Sequence, residues 1–357
     1  MRESQPDSKS LTRVVSRTVL FQITLLMSVV LSGCVTGLIS DKLRKQAAMK
    51  VELPIHGVFL WLDSRLNIHD MKSGETVSKN LTKGINSLTK IDDTHLVYSL
   101  GVDDSPGAMF ELDLTTMQSR FIRFGSFPLF LPEKRKLLFY DKGDDGKKRL
   151  SIIDYNHPEG KARAIWEGRP YLCRNSFCFL RPPIQVGVNK VLVTSDKTDY
   201  QGNNFGLYLL DVDDGSAEPV DALWDCEMQL WMKDRQQLIC GTRRSGSAYA
   251  VIASSQYWYY LSALDGTAKE KWSDVFGNME ATINFSDMPV QYIAELNVLV
   301  IARDEGMVDK GLYAFDLNSR KERRLGGGSS AGYGALWFDI PADKVGDINQ
   351  FSGVRND

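Results

Sequence analysis

Leu207-Tyr-Leu-Leu-Asp211 is an apolar strand that ends in Asp and runs into the turn Val-Asp-Asp-Gly215. The same pattern returns as Arg65-Leu-Asn-Ile-His-Asp70, Met109-Phe-Glu-Leu-Asp113, Leu150-Ser-Ile-Ile-Asp154, Tyr260-Leu-Ser-Ala-Leu-Asp265 and Leu312-Tyr-Ala-Phe-Asp316. The intervals between successive Asp residues are 43, 41, 57, 54 and 51. At a strand end, the carboxylate can accept from the backbone N–H two residues on and so start a turn. Gly74, Gly160 and Gly215 then offer the positive φ that closes such hairpins. Turn chemistry accounts for these six Asp residues, and no catalytic role is expected of them.

Each unit has more than this strand. An outer apolar piece, a polar turn and an inner apolar strand come first, as in Leu129-Phe-Leu-Pro-Glu-Lys-Arg-Lys-Leu-Leu-Phe-Tyr140. A polar strand follows the Asp turn. Four strands per repeat at this spacing predict an all-β fold, a β-propeller. The chain ends decide the blade count. Gly57-Val-Phe-Leu-Trp-Leu62 is an inner strand with no partner before it, and Ala335-Leu-Trp-Phe-Asp-Ile340 is an opening strand with nothing after it. Joined, they complete one blade and remove two open sheet edges. The expectation is six blades, with seven or eight as alternatives, closed by the C-terminal strand pairing into the first. The propeller is expected over residues 54–344, with a polar and dispensable tail at 345–357.

Two insertions are expected on this scaffold, at Pro182–Asn189 with a polar loop at 197–204, and at Arg243–Gln256. Long loops on a rigid frame often carry function. The second ends in Tyr257, Trp258, Tyr259 and Tyr260. Alternation divides these four between two faces, one for the core and one a possible binding patch.

The full chain has 357 residues and a formal charge of −2. Residues 1–33 hold four basic and two acidic side chains, so the remainder carries about −4 and lacks the basic surface that nucleic acid requires. Four cysteines, Cys173, Cys178, Cys226 and Cys240, permit two disulfides in an oxidising compartment. Spacing does not decide among the three pairings. Neighbour pairing, 173 with 178 and 226 with 240, is the favoured one, and buried free thiols are the alternative.

No motif for catalysis survives its context. Gly328-Ser-Ser-Ala-Gly332 matches the nucleophile-elbow pattern, but a strand follows where a helix is needed. Asp211–Gly215 and Asp141–Gly146 lack the alternate spacing of a calcium loop. His56, His69, His95 and His157 show no metal-ligand spacing. No cofactor or metal is expected. Arg320-Lys-Glu-Arg-Arg324 reads as a charged outermost strand that discourages foreign pairing.

Leu31-Ser-Gly-Cys34, after a basic segment (Arg2, Lys9, Arg13, Arg17) and an apolar run from Val19 to Leu31, resembles the lipobox of bacterial lipoproteins. The resemblance implies a signal peptide at 1–33 and a lipid (palmitate) on the Cys34 thiol. It also implies a tether at 34–53, made basic by Lys42, Arg44, Lys45 and Lys50. Val35 stands where Asp would imply inner-membrane retention, so the outer membrane is implied. An uncleaved anchor is the alternative, but the run is short of the ~20 residues a spanning helix needs.

Leu261-Ser-Ala-Leu-Asp-Gly-Thr-Ala-Lys-Glu-Lys-Trp272 is similar to the quinoprotein-like repeat that also builds the BamB lipoprotein. The other repeats look more like those of TolB-type propellers. Two function classes follow. One is a non-enzymatic module holding an envelope protein or a glycan. The other is a hydrolase or lyase with its site at the mouth of the central channel.

Overall fold

The computed structural model describes residues 55–351, apart from 63–64, 82–84, 101–106, 144, 168–170, 175–176, 181, 195–206, 224–225, 227, 244–256, 268, 272–287, 306–308 and 327–334. Cys34, the tether, the polar loop at 197–204 and Gly328–Gly332 lie outside the described residues. The described residues form six four-stranded antiparallel sheets and one hairpin. Helix is confined to single 3-10 turns, and no helix among them is long and apolar enough to cross a membrane.

Blade one holds β1 (Val58–Leu62), β2 (Arg65–Asp70) and β3 (Thr76–Asn80), completed by β26 (Ala335–Phe338) in the order β26-β1-β2-β3. Blade two is β4 (Ile85–Lys90), β5 (His95–Leu100), β6 (Ala108–Asp113) and β7 (Gln118–Phe124). Blade three is β8 (Ser126–Leu131), β9 (Lys136–Lys142), β10 (Lys148–Asp154) and β11 (Arg163–Glu167). The hairpin β12 (Tyr171–Arg174) and β13 (Phe177–Leu180) follows. Blade four is β14 (Ile184–Gln185), β15 (Lys190–Thr194), β16 (Leu207–Asp211) and β17 (Ala217–Pro219). Blade five is β18 (Met228–Met232), β19 (Gln237–Arg243), β20 (Tyr257–Ser262) and β21 (Glu270–Lys271). Blade six is β22 (Met288–Ile293), β23 (Val298–Glu305), β24 (Asp309–Asp316) and β25 (Lys321–Gly326).

The closure expected from the chain ends is present. β26 pairs antiparallel with β1, with Val58 opposite Phe338 and Trp61 opposite Ala335. Period-2 alternation then sends each face of β1 to a different neighbour. Val58, Leu60 and Leu62 pack with Leu96, Tyr98 and Phe110 of blade two. Phe59 and Trp61 pack with Val298, Val300 and Leu312 of blade six. Similar cores fill the other described seams, so the apolar strands are buried on both faces.

Three expectations are corrected. The opening strands are innermost, not outer: β4, β8, β14, β18, β22 and β26 neighbour one another in a closed ring around the axis. Residues 182–189 are not an insertion, because they supply β14 and its turn; the added element is the β12–β13 hairpin before them. The segment after Asp343 is not a free polar tail but packs against blades one and two. Gly346 N donates to Leu114 O at 2.8 Å, and Ile348 and Phe351 are buried with the blade-one and blade-two core.

The Asp turns form in all six blades. The amides of Lys72, Thr115, Asn156, Asp213, Thr267 and Asn318 donate to the carboxylate two residues before, at 2.8–2.9 Å. Gly74 and Gly215 have φ of +79°, whereas Gly160 does not take a left-handed conformation. Met117 and Arg320 occupy the same place with φ of 55° and 57°. Their Cβ atoms meet a steric cost there that glycine escapes.

Arginines from outer strands cross to the turn of the next blade. Arg323 Nη1 donates to Met71 O at 2.6 Å, Arg163 Nη2 to Val212 O at 2.7 Å, and Arg123 Nη1 to Pro158 O at 3.3 Å. The charged strand 320–324 therefore does more than face water, since Arg323 is buried in the closing seam. His69 is buried beside it and hydrogen-bonded through Nδ1 to Thr76 Oγ1 at 2.8 Å. Burial, and then the Arg323 charge, push the His69 pKa down to about 4, against a smaller upward pull from Asp70.

The unfolded chain takes up this proton near pH 6.5 and the folded one only near 4, so protonation favours unfolding. The stability present above pH 6.5 should fall by up to about 3 kcal/mol as pH drops to 4. At Asp70, Asp113, Asp211 and Asp265 the turn's contribution is lost only as pH falls through carboxylate values that lie below the ordinary range. Urea unfolding of His69→Gln should show a flatter acid limb between pH 6.5 and 4. An unchanged limb would remove His69 from the account.

Candidate functional site

Strand direction fixes which loops share an end. Chain entry into β1, the turns between first and second strands, and the Asp turns lie at one end of the ring. The connections from second to third strands lie at the other. The first of these ends carries a set of charged side chains around the axis, one blade bonded to another.

Glu133, in the β8–β9 turn, is the centre of this set. Its Oε1 meets Lys233 Nζ of blade five at 3.3 Å, and its Oε2 accepts from Gln185 Nε2 of blade four at 3.2 Å. Lys134 beside it pairs with Asp213 of the blade-four Asp turn at 2.6 Å. Tyr292 of blade six donates its hydroxyl to Asp234 of blade five at 2.9 Å. Asp93 of blade two takes the Lys90 ammonium at 2.5 Å and accepts from Asp339 N at 3.1 Å. His56 Nε2 lies 2.9 Å from Asp339 Oδ1, and Trp337 Nε1 donates to His56 O at 2.7 Å.

These pairings push the groups away from catalysis. A hydrogen bond from its own backbone, then Gln185 and Lys233, hold the Glu133 carboxyl below the usual range against burial. Burial and the neighbouring Asp234 push the Tyr292 phenol up to about 12. A general base at neutral pH needs the opposite shift for a carboxylate, and a nucleophilic phenol the opposite shift for Tyr. Among the described residues no three His, Cys, Asp or Glu side chains come together as a metal site.

The histidines are apart. His56 is at the axial rim, His69 in the closing seam, His95 on Asp92 at 3.0 Å, and His157 on Glu159 at 3.8 Å. The two calcium-like stretches are turns: Asp211 binds Asn189 and Lys190, and Asp145 binds Arg149 at 2.8 Å.

Cys226 and Cys240 are joined in a disulfide with Cα atoms 5.0 Å apart, buried between blades four and five. Cys173 and Cys178 are register partners across β12–β13, and their side chains lie outside the described ones. Tyr257, Trp258, Tyr259 and Tyr260 all belong to β20, paired with Arg243 to Cys240 of β19. Tyr260 packs on the blade-four side of its sheet, with the Lys269 ammonium 5.0 Å above its ring. The side chains of 257–259, and with them most of the expected patch, lie outside the described ones.

Residues that sequence reasoning missed are Glu133, Lys233 and Tyr292. Each sits in or beside a first-to-second-strand turn, and only the ring brings those turns together.

No protein-family model and no curated protein matches the chain. Solved structures do. TolB from Acinetobacter baumannii superposes with a TM-score of 0.54 at 14% identity, over 83% of this chain and 70% of that one. The TolB-type protein of Agrobacterium tumefaciens gives 0.49 at 12%, over 80% and 99%. An oligogalacturonate lyase from Vibrio parahaemolyticus gives 0.44 at 13%, over 72% and 74%. Identity this low speaks for fold alone, and with the sheet order it makes the chain a six-bladed β-propeller of TolB-like form.

Proposed function

We propose that this protein is a lipid-anchored component of the bacterial envelope, tethered through Cys34 to the outer membrane and facing the periplasm, whose propeller holds another envelope protein without catalysis. The observation that carries the binding role is the state of the axial rim. Glu133 and Lys134 pair with charges of other blades, and the shifted groups Glu133 and Tyr292 are moved away from proton transfer. Such a rim is charged, as a docking face is, and its shifted groups among the described residues, Glu133 and Tyr292, are moved away from activation. The Cys226–Cys240 disulfide is in keeping with an oxidising compartment. The lipobox-like stretch supports the anchor.

Cys34→Ser is expected to abolish acyl labelling and to release the protein from the membrane fraction, since the thiol is the only acceptor in the motif. Dual acylation gives stable attachment at about 0.8 kcal/mol per buried CH₂, and its loss is large. Equal labelling and equal membrane retention of wild type and variant would end this reading of the anchor. For the binding role, pull-down with the lipidated protein should recover a stoichiometric envelope partner. Turnover of an acidic polysaccharide or a peptide by the purified protein would instead establish the hydrolase or lyase alternative.

A further inference from the structure

The hairpin β12–β13 belongs to neither of the blades beside it. It lies in the connection from β11, the outermost strand of blade three, to β14, the innermost strand of blade four, and forms a sheet of its own. A lone two-stranded hairpin is marginally stable in water, so its own ladder does not suffice to hold it. The sequence Tyr171-Leu-Cys-Arg-Asn-Ser-Phe-Cys-Phe-Leu180 places two cysteines where a staple would act.

Tyr171 stands opposite Leu180, Leu172 opposite Phe179, Cys173 opposite Cys178 and Arg174 opposite Phe177. Only residues 175 and 176 intervene, so 174 and 177 flank a two-residue turn and share its hydrogen bond. Hydrogen-bonded and non-hydrogen-bonded pairs alternate along an antiparallel ladder. Leu172 and Phe179 are then a hydrogen-bonded pair, and Cys173 and Cys178 between them and the turn are not. In a pair of that second kind the Cα atoms are about 4.5 Å apart and both side chains leave on one face. A disulfide spans Cα separations of roughly 4.4–6.8 Å. The other two cysteines offer no rival pairing, because Cys226 and Cys240 are bonded to each other.

We infer that Cys173 and Cys178 form a second, exchangeable disulfide, which locks the hairpin and which dithiols open while the ring stays closed. Its formation takes two protons and two electrons from the two thiols. The disulfide of an envelope thiol oxidase accepts them and leaves as a dithiol. Opening is the reverse. A thiolate of a dithiol reductant attacks one sulfur and forms a mixed disulfide, the reductant's second thiol displaces the other sulfur, and the reductant leaves as a disulfide. Exchange depends on access to the bond. Cys226 and Cys240 are each 0% exposed between packed blades, whereas the hairpin is part of no blade. The two bonds therefore divide the work, one structural and one responsive. The inference rests on the envelope reading, since an oxidising compartment is what keeps such a bond.

The experiment starts from full-length protein isolated from membranes with free thiols alkylated at lysis. Trypsin cuts after Arg174, between the two cysteines, so a bond between them appears as a linked pair of peptides under non-reducing conditions. The expected map shows Cys173 linked to Cys178 and Cys226 linked to Cys240. Under a graded dithiol reductant, the first bond should open at least ~10-fold faster than the second, because access controls exchange. On opening, the amides of Leu172, Arg174, Phe177 and Phe179 should lose hydrogen-exchange protection, with the urea midpoint of the ring unchanged. Cys173→Ser/Cys178→Ser should show the same local loss without reductant. Thiols at 173 and 178 beside an intact Cys226–Cys240 bond would overturn the inference and leave the envelope reading standing. Earlier opening of the buried bond, or unchanged protection after the hairpin bond opens, would overturn it too. Thiols at all four positions would reject both the inference and the oxidising compartment.

Discussion

Deleting residues 335–357 is expected to abolish cooperative unfolding. The deletion removes β26, the whole partner of β1 on its axial side. It also removes Trp337, Phe338, Ile340, Ile348 and Phe351, all buried. Loss of a large buried side chain costs about 3–5 kcal/mol, so a few of these match the total stability of ~5–15 kcal/mol that a typical domain possesses. The other half of the effect is exposure. Phe59 and Trp61 would lose their cover at Ala335 and Trp337, and an open apolar edge invites pairing between molecules. The measurement is a urea transition followed by near-ultraviolet circular dichroism, with light scattering alongside. A sigmoidal transition with an unchanged midpoint would refute the closing role of the strand. Deletion of 352–357 removes none of these contacts and serves as the control.

Phe351→Ala is expected to cost about 3–5 kcal/mol, although the residue lies within the last seven of the chain. Its ring is 1% exposed and packs on Tyr98, which is itself fully buried. The segment that carries it is anchored by Gly346 N on Leu114 O and by Lys79 Nζ, which donates to Asn349 O at 2.6 Å. Truncation after Asp343 should therefore destabilise by at least as much as the single substitution. A midpoint shift for Phe351→Ala no larger than that of an exposed substitution would show that the segment rests on blades one and two without stabilising them.

The parts of the fold legible in the sequence are those set by local chemistry or by simple alternation. Asp70 and its five counterparts announce their turns because the bond they make spans two residues. The half-hairpins at Gly57–Leu62 and Ala335–Ile340 announce the closure because a lone inner strand is conspicuous. Other features depend on which elements meet. Opening strands such as β8 and β26 are as apolar as the second strands, so radial order is not written in their pattern. Ile348 and Phe351 look like scattered residues in a polar stretch until blades one and two supply a groove for them. Arg323 looks solvent-facing in a charged strand until Met71 O is found opposite it. The axial rim is least legible of all, because Glu133, Gln185 and Lys233 belong to three different blades and share no motif.

The pairing of β1 with β26 also has a consequence in time. Blades two to six are each built from contiguous sequence and can close as they emerge, from contacts that are short in chain distance. Blade one cannot. At synthesis rates of ~5–20 residues per second, its second strand waits on the order of tens of seconds for its first. During that interval Val-Phe-Leu-Trp-Leu, apolar on both sides, is exposed at the growing chain's leading end. Any route that delivers the N-terminus first meets the same delay. The nascent chain thus keeps an apolar strand without its first-strand partner until the last strand arrives.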